Sequence, residues 1–329
     1  MKIVVDAMGG DHAPEAIIAG VVDALNEFDV SIALVGIESR VRDELKKYSY
    51  DESRVEIIHA DQVVEMNDPA AFSIRKKKNS SISVGIDLLK TDGYDAFVSA
   101  GNTGAVVAAS TIKLRMLKGV DRPAIGITLP TLNGFSFLID VGANTAAKAE
   151  NLKQQAIMAQ VYMQEVLNIK KPTVGLLNIG EEDTKGSSFE KEAHKLLEES
   201  VEGFIGNVEA SGVYKGVSDC IVCDGYTGNI VIKVSTGLLE VTGSLIKREV
   251  KKNPIAILGA LLMKKTLKHI KKHADYSEYG GAPLLGVDGI VMISHGRSNP
   301  KAIKNAIRAT MTEVEHDING AISRALNTK

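Results

Sequence analysis

The sequence predicts a three-layer α/β sandwich around a mostly parallel β-sheet, with one protruding helical element. Short apolar runs alternate with amphipathic stretches from one end of the chain to the other. The runs are rich in Val and Ile and lack polar alternation, which is typical of strands covered by helices on both faces. A basic, apolar segment near residue 250 fits neither pattern, and it predicts the protrusion.

Ten apolar runs have the length and composition of strands. In chain order they are KIVVD, SIALVG, VEIIHA, DAFVSA, PAIGITL, FSFLID, TVGLLNI, GFIGNVE, CIVCD and GIVMIS. PAIGITL and FSFLID flank Pro-Thr-Leu-Asn-Gly at 130–134, which has the composition of a hairpin turn. We therefore expect these two strands to be antiparallel.

Amphipathic stretches between these runs predict the helices. They cover Pro14–Phe28, Ser81–Lys90, Asn102–Met116, Thr145–Leu167 and Ser188–Glu199. No linker rich in Ser or Pro divides the sequence. Residues 1–329 are therefore expected to form one α/β catalytic unit, or two interleaved subdomains.

The composition is typical of a soluble protein and argues against nucleic acid as a partner. Hydrophobic residues make up 44% of the chain and charged residues 24%, and the formal net charge is −2, whereas nucleic-acid-binding domains are usually basic. The N-terminal MKIVVDAMGGDH lacks a signal or transit pattern. No apolar run reaches the roughly 20 residues that span a bilayer, so we expect a cytoplasmic protein.

Cys220 and Cys223 form a CxxC motif, a spacing also found in redox and zinc proteins. Here the motif lies in an apolar run predicted to be a strand, where positions three apart point to opposite faces. The sequence has no second pair to complete a zinc site. Buried, unreactive side chains are the better interpretation.

Polar, glycine-containing turns follow six predicted strands and predict phosphate binding. Glycine lets backbone N–H groups approach an anion, and a helix N-terminus adds about half a positive charge. Capping explains any one such turn, but six are more than capping requires. The turns are 6–11, 101–104, 140–145, 178–183, 225–228 and 294–299, of which 101–104 and 225–228 are both G-x-T-G between a strand and a helix.

The candidate site residues come from these turns. The predicted phosphate-binding residues are Gly101, Asn102, Thr103, Gly104, Asn144, Gly225, Thr227, Gly228 and Ser294. His295, Lys185 and Asn229 are the candidate catalytic residues. His295 ends a strand between Ser294 and Arg297, and a purely structural histidine is the alternative.

The sequence lacks the residue spacing of familiar cofactor-binding and nucleophile motifs. The first strand is not followed by the G-x-G-x-x-G of a dinucleotide site, and G-x-S-x-G does not occur. GEEDTKGSS resembles a P-loop, but its Lys185 precedes the glycine. The carboxylates at strand ends have no spacing that specifies a metal. We therefore expect no cofactor and no metal, and direct attack by phosphate on its substrate.

Segment 247–273 is predicted to be a basic amphipathic protrusion. Over 247–272, nine Lys and Arg minus one Glu give a net charge of +8. A membrane-surface helix, a dimer-interface helix with a lysine rim for an acidic partner, and a core helix with a solvated face all fit. On a helical wheel Leu262, Met263, Leu267 and Ile270 lie opposite Lys264, Lys265, Lys268, Lys271 and Lys272. The expected membrane contacts are Leu258, Leu261, Leu262, Lys264, Lys265 and Lys268.

Taken in order, the motifs resemble the PlsX family of acyl-acyl carrier protein:phosphate acyltransferases. The resemblance covers essentially the whole chain. The motifs that carry it are DAMGGDHAP (6–14), RKKKNSS (75–81), SAGNTGA (99–105), DVGAN (140–144), NIGEE (178–182), CDGYTGN (223–229), YGGAPLLGV (279–287) and SHGRS (294–298). It implies a homodimer with a fold similar to the isocitrate dehydrogenase and phosphotransacetylase group.

The resemblance also implies a reaction and its partners. Acyl-acyl carrier protein and inorganic phosphate would give acyl phosphate, which passes to a membrane glycerol-3-phosphate acyltransferase in phospholipid synthesis. Arg75, Lys77 and Lys78, in a cluster that is otherwise a solvated loop, would bind the acidic carrier protein. The protrusion would hold the enzyme at the inner face of the cell membrane. A phosphotransacetylase that uses acyl-CoA and a membrane-associated scaffold without turnover are the alternatives.

Overall fold

Eleven strands form one continuous sheet in the computed structural model, which describes residues 1–91, 93–268 and 280–327. The strands are β1 (Lys2–Asp6), β2 (Ser31–Gly36), β3 (Val55–His59), β4 (Ala96–Ser99), β5 (Ala124–Thr131), β6 (Gly134–Ile139), β7 (Val174–Asn178), β8 (Phe204–Glu209), β9 (Cys220–Val222), β10 (Ala282–Leu285) and β11 (Ile290–Ile293).

Helices connect and cover these strands. They are α1 (Glu15–Glu27), α2 (Glu38–Leu45), α3 (Ala70–Lys76), α4 (Ser81–Leu88), α5 (Thr103–Lys113), α6 (Ala149–Glu165), α7 (Ser188–Ser200), α8 (Gly225–Lys251), α9 (Pro254–Leu262), α10 (Pro300–Glu315) and α11 (Ile318–Asn327). Short 3₁₀ helices lie at Glu52–Arg54 and Ala210–Lys215.

The strand order is β3-β2-β1-β4-β11-β10-β5-β6-β9-β7-β8. The first five strands in this order are parallel to one another, and so are the last four. Between them β10 is antiparallel to both of its neighbours, and β5 is antiparallel to β6. The predicted, mostly parallel sheet is confirmed. Its two halves run in opposite directions.

Alternating side chains of the strands enter cores on opposite faces of the sheet, which makes three layers. In the first half Val5 packs with Ile18 of α1, whereas Val4 packs with Ile82 of α4. In the second half the same alternation separates the cysteines. Cys220 lies in the core formed with α6, and Cys223 lies in the core on the other face.

The prediction that Cys220 and Cys223 are buried and unreactive is confirmed. Both side chains are buried free thiols. Burial raises the pKa of Cys220 and of Cys223 well above the ordinary thiol value. Neither side chain has the exposed, acidic character that a reactive cysteine needs.

The observed strands and helices differ from the sequence prediction in two places that bear on the site. β10 is a strand that the sequence did not predict, because Pro283 and flanking glycines weaken its pattern and pairing with β11 and β5 supplies its order. The predicted helix from Thr145 begins only at Ala149. The turn at 140–145 consequently does not lie on the N-terminus of α6.

The predicted hairpin is confirmed, because Thr131 pairs with Gly134.

The exposed helical element starts earlier than predicted, in α8. Only Gly225 and Gly228 of α8 are buried, and α9 has no buried residue. α8 is also the one helix in the described ranges that is long and apolar enough to cross a membrane, judged by length and composition alone. This corrects the expectation that no segment reaches that length.

The helical wheel drawn through 262–272 does not correspond to one helix, because a turn at Met263 separates α9 from the helical residues 264–268. Leu262, Met263 and Leu267 are exposed, and so are the three lysines of 264–268. Residues 269–273, with Ile270, Lys271 and Lys272 of that wheel, lie outside the described residues, as does Tyr279 of the YGGAPLLGV motif.

Candidate active site

The turns after β1, β4 and β11 are in direct contact, because these three strands are neighbours in the sheet. The amide of Asp11 donates to the carbonyl oxygen of Gly296 at 2.8 Å. Gly10 has a φ of +104°, and a Cβ there would lie 2.9 Å from Gly296 O and 3.1 Å from Ala100 O. Only glycine fits this junction.

Asp6 holds the first of these turns in place from inside. Its carboxylate is buried, accepts from the amide of Met8 at 3.1 Å and accepts from the hydroxyl of Ser99 at 2.7 Å. Burial raises the pKa of Asp6, and its hydrogen bonds offset part of that shift. The Ser99 hydroxyl in turn accepts from the amide of Gly101 at 3.0 Å. These bonds give Asp6 a structural role that the sequence did not reveal.

Asn102 links the site to the preceding loop. Its Nδ2 donates to three backbone carbonyls, those of Glu65 (3.2 Å), Met66 (3.0 Å) and Asp68 (3.1 Å). Its Oδ1 accepts from the amide of Ala105 at 3.0 Å and caps α5. Since both ends of the side chain are engaged, phosphate would have to displace these bonds to reach it.

The first turn of α5 presents two unengaged backbone donors. The amides of Thr103 and Gly104 point from the helix N-terminus without an acceptor in the described part of the chain, and both residues are exposed. The partial positive charge of a helix N-terminus favours an anion at this position. Of the predicted phosphate-binding residues, these two have the most suitable geometry.

The turn after β11 lies beside them. Its Ser294 amide donates to Ser99 O at 2.8 Å. His295 is exposed, and its Nδ1 accepts from the amide of Arg297 at 3.1 Å. The hydroxyls of Ser294 and Ser298 are buried and have no hydrogen-bond partner among the described residues, an uncommon state for buried polar groups.

In the second half of the sheet, Asp140 occupies the amides that were predicted to hold phosphate. Its buried carboxylate accepts from the amides of Gly142 (2.9 Å), Ala143 (2.9 Å) and Asn144 (2.7 Å), and also from Ile125 (3.1 Å). Burial raises the pKa of Asp140, and these four donors offset part of the shift. The DVGAN turn is therefore closed on its own carboxylate.

The second G-x-T-G turn is closed in a similar way. Asp224 caps α8, accepting from the amides of Tyr226 (2.9 Å) and Thr227 (3.0 Å) and from the Thr227 hydroxyl (2.6 Å). The amide of Gly225 donates to Asn144 O at 2.9 Å. α8 begins at the first glycine of its motif, whereas α5 begins at the threonine. Two motifs that look alike in sequence thus have different free donors.

Gly228 and Asn229 lie against the 140–144 turn. A Cβ on Gly228 would lie 1.9 Å from Asp140 O, and one on Gly142 would lie 3.9 Å from the Asn229 Cβ. Asn229 is half-buried. The Nδ2 of Asn144 is buried and has no partner among the described residues.

The three predicted catalytic residues lie on separate elements. His295 follows β11, Asn229 lies in α8 beyond β9, and Lys185 lies in the loop after β7. Lys185 is exposed, and its Nζ lies 3.8 Å from Glu182 Oε1. The fold places the His295 turn beside the turn that leads into α5, and Asn229 beside the DVGAN turn. Their catalytic roles stay predictions.

The two halves of the site are connected through side chains. Val141 and Ala143 pack against the core that contains Ala105 and Val106 of α5. The DVGAN turn and the helix that presents the two unengaged amides therefore pack on one core.

The basic cluster at 75–78 lies on the element that packs against α5. A Cβ on Gly104 would lie 2.9 Å from the Cβ of Ala70 at the start of α3. Lys77 is engaged, because its Nζ binds Asp68 at 2.6 Å and Val63 O at 2.7 Å. Arg75 and Lys78 are exposed. Two of the three predicted carrier-protein contacts therefore have an accessible charge, at or just beyond the end of the helix that packs against α5.

Comparison with known proteins decides the family. The family model "Fatty acid synthesis protein" matches residues 1–320. A "Phosphate acyltransferase" of Dictyoglomus turgidum is 46% identical over 329 residues, covering 99% of this chain and 98% of the relative. One of Thermoanaerobacterium thermosaccharolyticum is 48% identical over 326 residues, covering 99% and 97%. The chain belongs to the phosphate acyltransferase family.

The family assignment confirms the predicted PlsX resemblance and makes the protein an acyltransferase. Solved structures agree with the fold. A phosphotransacetylase from Streptococcus pyogenes superimposes with a TM-score of 0.63 at 16% identity, covering 96% of this chain and 94% of that one. The EutD phosphotransacetylase from Staphylococcus aureus gives 0.61 at 18% identity, covering 95% and 94%. The predicted similarity to the phosphotransacetylase fold is confirmed.

Proposed function

We propose that this acyltransferase moves a fatty acyl group from an acyl-acyl carrier protein to inorganic phosphate and releases acyl phosphate. A phosphate oxygen attacks the thioester carbonyl carbon, and the new C–O bond replaces the C–S bond. The carrier thiol leaves as a thiolate and takes up a proton. Two observations support direct attack: the amides of Thr103 and Gly104 can receive an anion, and both cysteines are buried.

The unpaired amides at the start of α5 carry the proposal. Phosphate held there would lie beside the turn of His295, whose side chain could offset charge developing on the thioester oxygen. Lys185 and Asn229 would assist from the second half of the site.

Backbone donors can be tested by substitution with proline, which lacks an N–H. Thr103 is the first residue of α5, a position where proline is well tolerated, and the extended ψ of 109° at Asn102 suits a residue that precedes proline. Thr103→Pro should lower kcat/KM for phosphate about 100-fold, the scale of losing one anion donor. Thr103→Ala keeps the amide and is the control. Equal activities for the two variants at equal melting temperature would contradict the proposed phosphate position.

The acyl donor is tested by supplying phosphate with acyl-acyl carrier protein or with the same acyl group on CoA. Acyl phosphate, trapped as its hydroxamate, should form faster from the carrier-protein thioester. Preference for acyl-CoA would favour the phosphotransacetylase alternative, and no product from either would favour the scaffold. A trapped acyl-enzyme in the mass spectrum would contradict direct attack.

We also propose that the enzyme is a homodimer in the cytoplasm, bound peripherally at the inner face of the cell membrane. Exposed apolar side chains along α8 support a protein interface, and Leu258, Leu261 and Leu262 of α9 support a membrane contact beside the lysines of 264–268. The carrier protein would dock on Arg75 and Lys78. The acyl phosphate would then pass to a membrane glycerol-3-phosphate acyltransferase.

A further inference from the structure

The loop that carries Lys185 is anchored by a buried polar network beneath it. Residues 181–185 are all exposed. Asn178, His194 and Asn207 beneath them are 7–8% exposed and come from the end of β7, from α7 and from β8. The network therefore joins three elements of the fold to one exposed loop.

Two asparagine side chains hold the backbone on either side of Lys185. The Nδ2 of Asn207 donates to Glu182 O at 2.8 Å, and the Nδ2 of Asn178 donates to Lys185 O at 3.3 Å. The amide of Lys185 donates to Glu182 O at 3.0 Å and closes a turn between the two anchors. Gly186 ends the loop at a φ of +88°.

The orientation of the Asn207 amide depends on Asn178 and His194 together. Asn207 Oδ1 accepts from Asn178 Nδ2 at 3.1 Å and lies 3.1 Å from His194 Nδ1. Only a proton on His194 Nδ1 makes that second contact attractive. With Oδ1 fixed on this side, Nδ2 faces Glu182 O. A flipped amide would place Asn207 Oδ1 against Glu182 O. Oδ1 would then lose its contacts with Asn178 Nδ2 and His194 Nδ1.

We propose that His194 is a positioning residue, which helps to set the Asn207 amide and thereby fixes the backbone of the loop that carries the candidate catalytic residue Lys185. This inference rests on the proposed function only for the role of Lys185. The Nε2 of His194 lies 3.6 Å from Asp183 Oδ1 in the same loop, so both ring nitrogens face the loop or its anchors.

Three variants distinguish a positioning role of His194 from a role in packing alone. His194→Leu removes the donor, and His194→Asn keeps an N–H close to the position of Nδ1. Phe204→Leu is the matched control, since Phe204 packs edge-on against His194 at 5.2 Å without joining the network. We expect His194→Leu to lower kcat about 100-fold, the cost of a misplaced catalytic group. His194→Asn should recover most of this loss, and Phe204→Leu should lose little.

A double-mutant cycle with Lys185→Ala tests the route of the effect. If His194 acts through Lys185, His194→Leu combined with Lys185→Ala should be no slower than Lys185→Ala alone. Additive losses, or a loss in His194→Leu no larger than in Phe204→Leu, would overturn the proposal.

Hydrogen exchange tests whether His194 anchors the 179–186 loop, without depending on any activity. His194→Leu should speed amide exchange in 179–186, with little change in β1. If the unaltered enzyme forms no acyl phosphate, the proposed function fails, and exchange still decides whether His194 holds the loop. Unchanged exchange in 179–186 would refute the anchoring.

Discussion

The amide of Asp11 donates a 2.8 Å hydrogen bond to the carbonyl oxygen of Gly296, joining turns from opposite ends of the chain. The bond is possible because β1 and β11 both pair with β4. It places the DAMGGD turn, the start of α5 and the His295 turn in one cluster.

Gly10→Ala should destabilise the enzyme and abolish most of its activity. A methyl group would meet two backbone oxygens that cannot move aside, and the φ of +104° adds about 1–2 kcal/mol of strain. Gly134→Ala is the control, because Gly134 has a φ of +123° but no atom within 4 Å of the added Cβ. Thermal melting and acyl transfer measure both variants. Equal losses would mean that the junction is less constrained than its geometry indicates.

Asn102→Ala should cost more stability than Asn102→Ser. Both variants lose the three bonds from Nδ2 to Glu65, Met66 and Asp68, but serine keeps the cap on α5, which is worth about 1 kcal/mol, whereas alanine loses it. Both variants should speed hydrogen exchange in the 65–68 loop, measured by mass spectrometry. If exchange there stays slow in both, Asn102 does not hold that loop.

Glu313→Gln should stabilise the enzyme, and more at pH 8 than at pH 5. Burial raises the pKa of Glu313 from its ordinary 4.5 to about 8, partly offset by a hydrogen bond with Tyr162. Between these two values the folded state holds a proton that the unfolded state has released, so stability of the unaltered enzyme falls as pH rises. Glutamine removes this dependence.

Urea denaturation across this pH range measures the effect of Glu313. Glu315→Gln, an exposed change on the same helix, is the control and should leave the pH profile unaltered. Parallel pH profiles for Glu313→Gln and the unaltered enzyme would contradict the assigned protonation.

Replacing Leu258, Leu261 and Leu262 together by Glu should abolish co-sedimentation with anionic liposomes. These side chains are 60%, 63% and 81% exposed, so the change removes apolar area and adds negative charge without disturbing a core. Leu132→Glu, at an 85% exposed position in the β5–β6 turn, is the control and should still sediment. Unchanged sedimentation of the triple variant would end the membrane proposal.

Much of the fold could be predicted from the sequence because local hydrophobic patterns specify most of its strands and helices. Valine-rich runs and amphipathic stretches identified ten of the strands and the main helices, and the alternation along β9 placed Cys220 and Cys223 on opposite faces. β10 escaped prediction because its order comes from two neighbouring strands. The free or engaged state of each turn depended on hydrogen bonds that the pattern does not specify, those of Asp140 and Asp224 within their own turns and those of Asn102 to the 65–68 loop.

The sequence by itself determined the family, the α/β class and which turns could hold an anion. Only the tertiary structure decided which of them has donors left. Asp140 and Asp224 fill the amides of their own turns, while Asn102 turns its side chain to the 65–68 loop and leaves the amides of Thr103 and Gly104 open. The physical reason is that a backbone N–H donates once, and its acceptor is set by folding rather than by the motif.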